Sequence, residues 1–177
     1  MASATQKLMI NSLMPFSGDY LNVIIETPKG SRNKFNFDPN SGLFKLGGVL
    51  PTGASFPFDF GFIPRTHGED GDPLDVLLIM DEPAFPGCLI EARLLGVMKA
   101  LQTESDTKIR NDRIIAVATH SRDQSHLQTI HDLSRELLEE IEHFFRSYNE
   151  AKGKQFIVEA RNGPKEALQV IKRGMVD

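Results

Sequence analysis

Residues 68–80 read Gly-Glu-Asp-Gly-Asp-Pro-Leu-Asp-Val-Leu-Leu-Ile-Met, an acidic loop that runs straight into an apolar strand. Four carboxylates, Glu69, Asp70, Asp72 and Asp75, fall within eight residues, separated by Gly71 and Pro73. Taken alone, Gly, Pro and Asp make a solvated turn. The run Val76–Met80 argues for more, because it reads as a buried strand and fixes Asp75 at its entrance. Gly71 and Pro73 hold Asp70 and Asp72 on the same short loop. Converging carboxylates repel one another unless a cation lies between them, and an all-oxygen donor set favours Mg²⁺, Mn²⁺ or Ca²⁺ over zinc. An EF-hand is excluded. With Asp70 at loop position one, Leu74 falls at position five and Asp75 at six, where glycine is required; strands, not helices, flank the loop.

Outward from this loop the chain is mostly strand. Tyr20–Thr27 is β-branched and apolar and stops at Pro28. Asn33–Asp38 alternates polar and apolar, the period of a half-buried strand. Asp38-Pro39-Asn40-Ser41-Gly42 is a turn, and Leu43–Leu46 is the return strand. Phe56–Ile63 is aromatic-rich and broken by Pro57 and Gly61. Further strands are expected at 76–80, 88–99 and 113–119, with the polar stretch 101–112 as a hairpin loop. The period then changes: apolar residues at 137, 138, 141, 144, 145 and 148 line one face of a helix over 134–151, with Gly153 as its stop. Gly163-Pro164 opens a last short helix through Leu168 and Ile171. The first dozen residues read as an arm or short helix. Strands followed by late helices give an α+β, mainly β fold built on a twisted sheet or small barrel, in a single domain over 1–177.

Composition narrows the function. With 40% hydrophobic and 25% charged residues the chain can form a core. A net charge of −4 gives no sign of a broad basic, polyanion-binding surface. Cys88 has no partner in the chain, which fits a reducing cytoplasm. The apolar stretch near Leu8–Ile10 is too short for a signal-peptide core, and no later run is long enough to span a bilayer. Gly48–Ser55 resembles a phosphate-binding loop but lacks the lysine and the following helix. The five histidines lack metal-type spacing, and Cys88 reads as a buried structural thiol. Tyr148, on a Phe/Leu helix face, can present its hydroxyl to a cleft. Lys34, on an alternating strand, can aim at an anion.

Several segments taken in order carry a resemblance: Val23–Pro28, Lys34-Phe35, Phe58-Asp59-Phe60-Gly61-Phe62-Ile63-Pro64, Asp70-Gly71-Asp72-Pro73-Leu74-Asp75-Val76-Leu77, Pro86-Gly87, Gly96–Lys99, Ile114–Val117, His143–Phe145, Tyr148 and Lys152-Gly153-Lys154. Together they resemble the family I soluble inorganic pyrophosphatases, with Asp-Gly-Asp-Pro-x-Asp-Val as the specific core. The resemblance implies a distorted five-stranded, OB-like barrel with flanking C-terminal helices, a homo-oligomer (a hexamer in bacterial members), and hydrolysis of pyrophosphate to two phosphates with several Mg²⁺ ions, or Mn²⁺. It implies Asp70 and Asp75 as metal ligands, Glu26 as ligand to a metal arriving with substrate, Asp72 as general base, and Lys34 and Tyr148 as phosphate ligands. Arg113 keeps a positive charge where the family has lysine and is a third candidate substrate ligand. Other positions depart from the family. Gly47-Gly48 stand near its phosphate-binding arginine, Phe60 at a tyrosine, Asn36 at a glutamate and Asn149 at a lysine. Gln102 and Asn111 fall at its second pair of metal aspartates; Glu104, Asp106 or Asp112 can replace them, and Asp112 is taken as the candidate ligand. Two rival functions remain open at this point: hydrolysis of another diphosphate compound, and non-catalytic binding.

Overall fold

Ten strands and two helices are arranged around a closed ring in the computed structural model, which describes residues 9–177. Residues 9–12 are helical; the rest of the segment expected as an arm or short helix lies outside the described residues. The strands are β1 (Phe16–Ser17), β2 (Tyr20–Thr27), β3 (Asn33–Asp38), β4 (Leu43–Val49), β5 (Asp59–Phe62), β6 (Asp75–Ile79), β7 (Leu89–Glu104), β8 (Thr107–Arg110), β9 (Arg113–Ala118) and β10 (Gln155–Asn162). The helices are α1 (Arg135–Glu150) and α2 (Pro164–Gly174). Pairing runs β2–β5–β6–β9–β7 and back to β2, so five strands close on themselves, as expected, in an irregular ring. Only β6 and β9 pair in parallel within it. β3 and β4 form a separate two-stranded sheet.

The apolar run behind the acidic loop is buried on both faces. Val76 and Leu78 enter one core with Ala167, Val170 and Ile171 of α2. Leu77 and Ile79 enter the other with Leu138, Ile141 and Phe145 of α1. Continuous hydrophobicity, rather than alternation, is the expected signature of such a strand. Ser134 caps α1 by accepting a hydrogen bond from the Leu137 amide, and Pro164 starts α2. No helix among the described residues is long and apolar enough to cross a membrane.

Two expectations are corrected. The polar stretch 101–112 is not a loop. β7 continues to Glu104 and β8 returns from Thr107, joined by Ser105 and Asp106 with φ of 48° and 64°. A two-residue turn with both central residues left-handed matches the strand twist. This extension projects beyond the ring, so its residues need no apolar face. β10 also went unread in the sequence. Its charged residues Glu159 and Arg161 pair with Arg110 and Glu142, which masks the strand's alternation. Cys88, expected to be buried, is only half-buried.

Gly61 lies opposite Ile25 at the β2–β5 pairing, where an added Cβ would come 2.2 Å from the Ile24 carbonyl oxygen. Backbone cannot yield as a flexible side chain can, so Gly61→Ala is expected to cost about 2–4 kcal/mol by forcing two ring strands apart. The measurement is urea unfolding; an unchanged midpoint contradicts the close approach.

Candidate active site

Three backbone irregularities build one side of a cleft of about 1240 Å³ that runs past the mouth of the ring. Between Ile25↔Gly61 and Thr27↔Phe60 the register of β2 shifts by one residue, which leaves Glu26 as the extra, bulged residue. A bulge re-aims a side chain, and Glu26 turns into the cleft. The second shift lies between Lys34↔Gly48 and Phe35↔Leu46 and leaves Gly47 as the extra residue beside Lys34. The third irregularity is the acidic loop itself. Gly71 takes a φ of 86°, the Gly68 amide donates to the Asp72 carbonyl at 2.8 Å, and the Asp72 amide donates to Asp70 Oδ1 at 3.2 Å. The Asp70 side chain thus closes its own turn.

The charges interlock. Lys34 Nζ lies 3.4 Å from Glu26 Oε2 and 4.5 Å from the centre of the Phe60 ring. The Phe37 amide donates to Glu26 Oε1 at 2.8 Å. Asp75 and Arg113 are register partners on the parallel β6–β9 pair, and Arg113 Nη1 donates to Asp75 Oδ2 at 2.5 Å. The same nitrogen donates to Asn111 Oδ1, while Asn111 Nδ2 donates to Gln102 Oε1 at 2.8 Å. The Arg113 guanidinium is buried against Phe60, Phe145 and Phe156, with its carbon 5.1–5.9 Å from their ring centres, and its Nε has no partner among the described residues. Tyr148 packs between Phe56 and Phe144, and its hydroxyl accepts a hydrogen bond from Lys152 Nζ at 2.5 Å.

Burial is the first cause that holds the carboxyls of Glu26, Asp70 and Asp75 above their ordinary range; Lys34 and Arg113 pull the other way for Glu26 and Asp75 respectively. Repulsion among the acids adds to the rise, through Asp75 on Glu26, and through Asp75 and Asp72 on Asp70. Acids that stay uncomfortable when charged are those a cation relieves, and the donor set is hard oxygen throughout. The described residues contain no ready-made group of three or more His, Cys, Asp or Glu side chains that could hold a metal ion. Carboxylate and amide oxygens are nevertheless the donors that a hard divalent cation such as Mg²⁺ or Mn²⁺ takes.

The fold brings Glu26, Lys34, Asp70, Asp72, Asp75, Arg113 and Tyr148 to this one cleft. Asp112 is the exception. Its carboxylate accepts from the Ala100 amide at 3.0 Å and from Arg110 at 3.4 Å, and it lines an adjoining cavity of about 240 Å³ that Asp70 and Asp75 also line. Asn111 and Asp112 form the short link between β8 and β9, and the expected replacement ligand Asp112 shares the adjoining cavity with Asp70 and Asp75 rather than lining the larger cleft. Gln102, Asn111 and Glu104 line the cleft on that side. Lys152, in the segment Lys152-Gly153-Lys154 of the resemblance but given no role there, also lines it, from the turn just past the end of α1. The five histidines are exposed, as expected.

Comparison with known proteins agrees with this geometry. The family model described as inorganic pyrophosphatase matches residues 23–177. The chain is 43% identical over 128 residues to the inorganic pyrophosphatase of Synechocystis sp., covering 72% of this chain and 73% of that protein. It is 36% identical over 159 residues to that of Geobacillus stearothermophilus, covering 89% and 93%. Among solved structures, an inorganic pyrophosphatase from Neisseria gonorrhoeae superposes with a TM-score of 0.84 at 35% identity, over 94% of this chain and 96% of that one. The Thermus thermophilus enzyme gives 0.81 at 34%, over 92% and 94%. A closed ring with its acids gathered at one mouth, matched along nearly its whole length, places this chain in the inorganic pyrophosphatase family.

Proposed function

We propose that this chain hydrolyses inorganic pyrophosphate to two phosphates with Mg²⁺ as its divalent cofactor. The observation that carries the reading is the convergence of Glu26, Asp70, Asp72 and Asp75 with Lys34 and Tyr148 on one cleft of the family's fold. Asp70 and Asp75 would hold cations from the loop and Glu26 from the bulge, with the amide oxygens of Asn111 and Gln102 as neutral donors; Asp112 is not in this set. Bound Mg²⁺ supplies charge between an anionic loop and an anionic substrate and acidifies water. Asp72 is assigned as general base. Its backbone makes the loop's hydrogen bonds, and among the described residues nothing occupies its carboxylate. Lys34 and the Tyr148 hydroxyl address phosphate oxygens. Arg113, expected as a substrate ligand, is assigned to hold Asp75, to which its Nη1 is bonded.

The reading treats the chain as a single catalytic domain. It includes a homo-oligomer, hexameric by the resemblance, and a cytoplasmic setting. Leu43, Leu46 and Val49 on β4 are exposed apolar residues of the kind a second copy covers, and the lone Cys88 suits a reducing compartment. Phosphate release from pyrophosphate, with and without Mg²⁺, tests the function; full activity in excess chelator overturns it. One observation favours a second reading, a larger diphosphate substrate: a side chain at Gly48 would meet nothing within 4 Å, so the cleft is open there. Faster turnover of such a compound than of pyrophosphate decides for it.

A pH dependence follows. With Glu26, Asp70 and Asp75 raised by burial, protons compete with the cation at higher pH than at free carboxyls. The Mg²⁺ concentration for half-maximal activity should therefore rise on acidification before the ordinary carboxylate range is reached. A requirement that stays flat from neutral to mildly acid pH contradicts this.

A further inference from the structure

Each cation lining the cleft can be followed to the group that answers its charge. Lys34 is answered by Glu26, Arg113 by Asp75 and Lys154 by Glu104 at 3.0 Å. Arg65 Nη1 rests on the Met14 sulfur at 3.1 Å. Lys152 differs from all of these. It stands at the exposed end of α1, and among the described residues no carboxylate lies within salt-bridge distance of it. Its Nζ donates instead to the Tyr148 hydroxyl at 2.5 Å and lies 4.1 Å from that ring's centre. Tyr148 lies in the last turn of α1 and Lys152 in the turn that follows its C-cap Ala151, and both line the cleft. Nearby positions offer no competing cation. Gly48 has no side chain, and Asn149 is buried with its Nδ2 donating to the Phe145 carbonyl at 2.8 Å.

The geometry points to Lys152 and the Tyr148 hydroxyl as a two-point phosphate clamp, in which the Lys152 ammonium is the substrate-binding cation on the α1 side of the cleft. An ammonium with three donors keeps two free after bonding the phenol. The phenol oxygen, in turn, can accept from Lys152 while its own proton is offered to a phosphate oxygen. Desolvation in the cleft, then the nearby cations Lys154 and Arg113, push the Lys152 ammonium below its ordinary value, so an anion arriving there is favoured. This inference rests on the pyrophosphatase reading above and specifies how that site grips its substrate.

The test compares wild type with Lys152→Gln, Lys152→Arg and, as a charge-matched control remote from the cleft, Lys172→Gln. The KM for pyrophosphate is measured at saturating Mg²⁺, and the Kd for inorganic phosphate is measured by calorimetry in the same buffer. Lys152→Gln should raise both by about tenfold or more, the worth of a charge-assisted hydrogen bond. Lys152→Arg should recover most of the loss, and Lys172→Gln should match wild type. Unchanged KM and phosphate affinity in Lys152→Gln overturn the clamp even if pyrophosphate is hydrolysed. Loss of phosphate affinity in Lys152→Gln, in a wild type that does not hydrolyse pyrophosphate, overturns the function and supports the clamp.

Discussion

Asp72→Asn is expected to lower pyrophosphate turnover by about 10²–10⁴-fold, the usual worth of a general base, while leaving divalent-cation binding nearly intact. The reason lies in how the loop divides its work. Asp70 closes the turn through its own Oδ1 and Asp75 is anchored by Arg113, whereas Asp72 is exposed on the cleft. Asparagine keeps the size and the backbone hydrogen bonds but cannot take a proton. Asp75→Asn should behave differently, with cation affinity falling first and activity following it. Calorimetric Mg²⁺ titration beside steady-state hydrolysis separates the two variants. If Asp72→Asn loses cation affinity as severely as Asp75→Asn, Asp72 is a ligand and the division of roles is wrong.

The second large effect is on stability. Arg113→Met should cost about 2–4 kcal/mol in the metal-free protein, because removing one partner of a buried ion pair strands the other. The figure sits toward the low end of that range because the Asp75 side chain keeps 21% exposure, whereas that of Arg113 keeps 5%. Methionine can still fill the space among Phe60, Phe145 and Phe156, so the loss reports the charge and not a cavity. Arg113→Lys, which keeps the charge, should lose less. Saturating Mg²⁺ should narrow the gap between Arg113→Met and wild type, since a cation on Asp75 replaces the missing one. A metal-free Arg113→Met as resistant to urea as wild type rules out the proposed stabilising role of the pair.

Much of this was legible in the sequence, for local reasons. The run Val76–Ile79 announced a strand buried on both faces, and the spacing of Leu138, Ile141 and Phe145 announced the helix that covers one of them. The acidic loop was readable because glycine and proline fix it with few long-range contacts. What stayed hidden depended on pairing. Nothing in Ile-Ile-Glu-Thr says that Glu26 is a bulged residue, because a bulge is a relation between two strands. The β7–β8 extension and β10 carry ion pairs in place of an apolar stripe, so periodicity had nothing to register. The hydrogen bond of Asp112 to the Ala100 amide was hidden for the same reason, since it depends on how β7 lies against the link between β8 and β9.

The position of Tyr148 between Phe56 and Phe144 has an experimental use. The chain contains no tryptophan and two tyrosines, Tyr20 and Tyr148. Tyr20 is 46% exposed on β2 and is not among the residues lining the cleft. Ultraviolet emission from this protein therefore comes from two phenols, one of which sits where substrate is proposed to bind. A phosphate that accepts the Tyr148 hydroxyl proton changes that phenol's hydrogen bonding and so its quantum yield. The unlabelled protein thus carries its own optical reporter, and a stopped-flow trace of tyrosine emission, compared with that of Tyr148→Phe, times ligand arrival separately from bond cleavage.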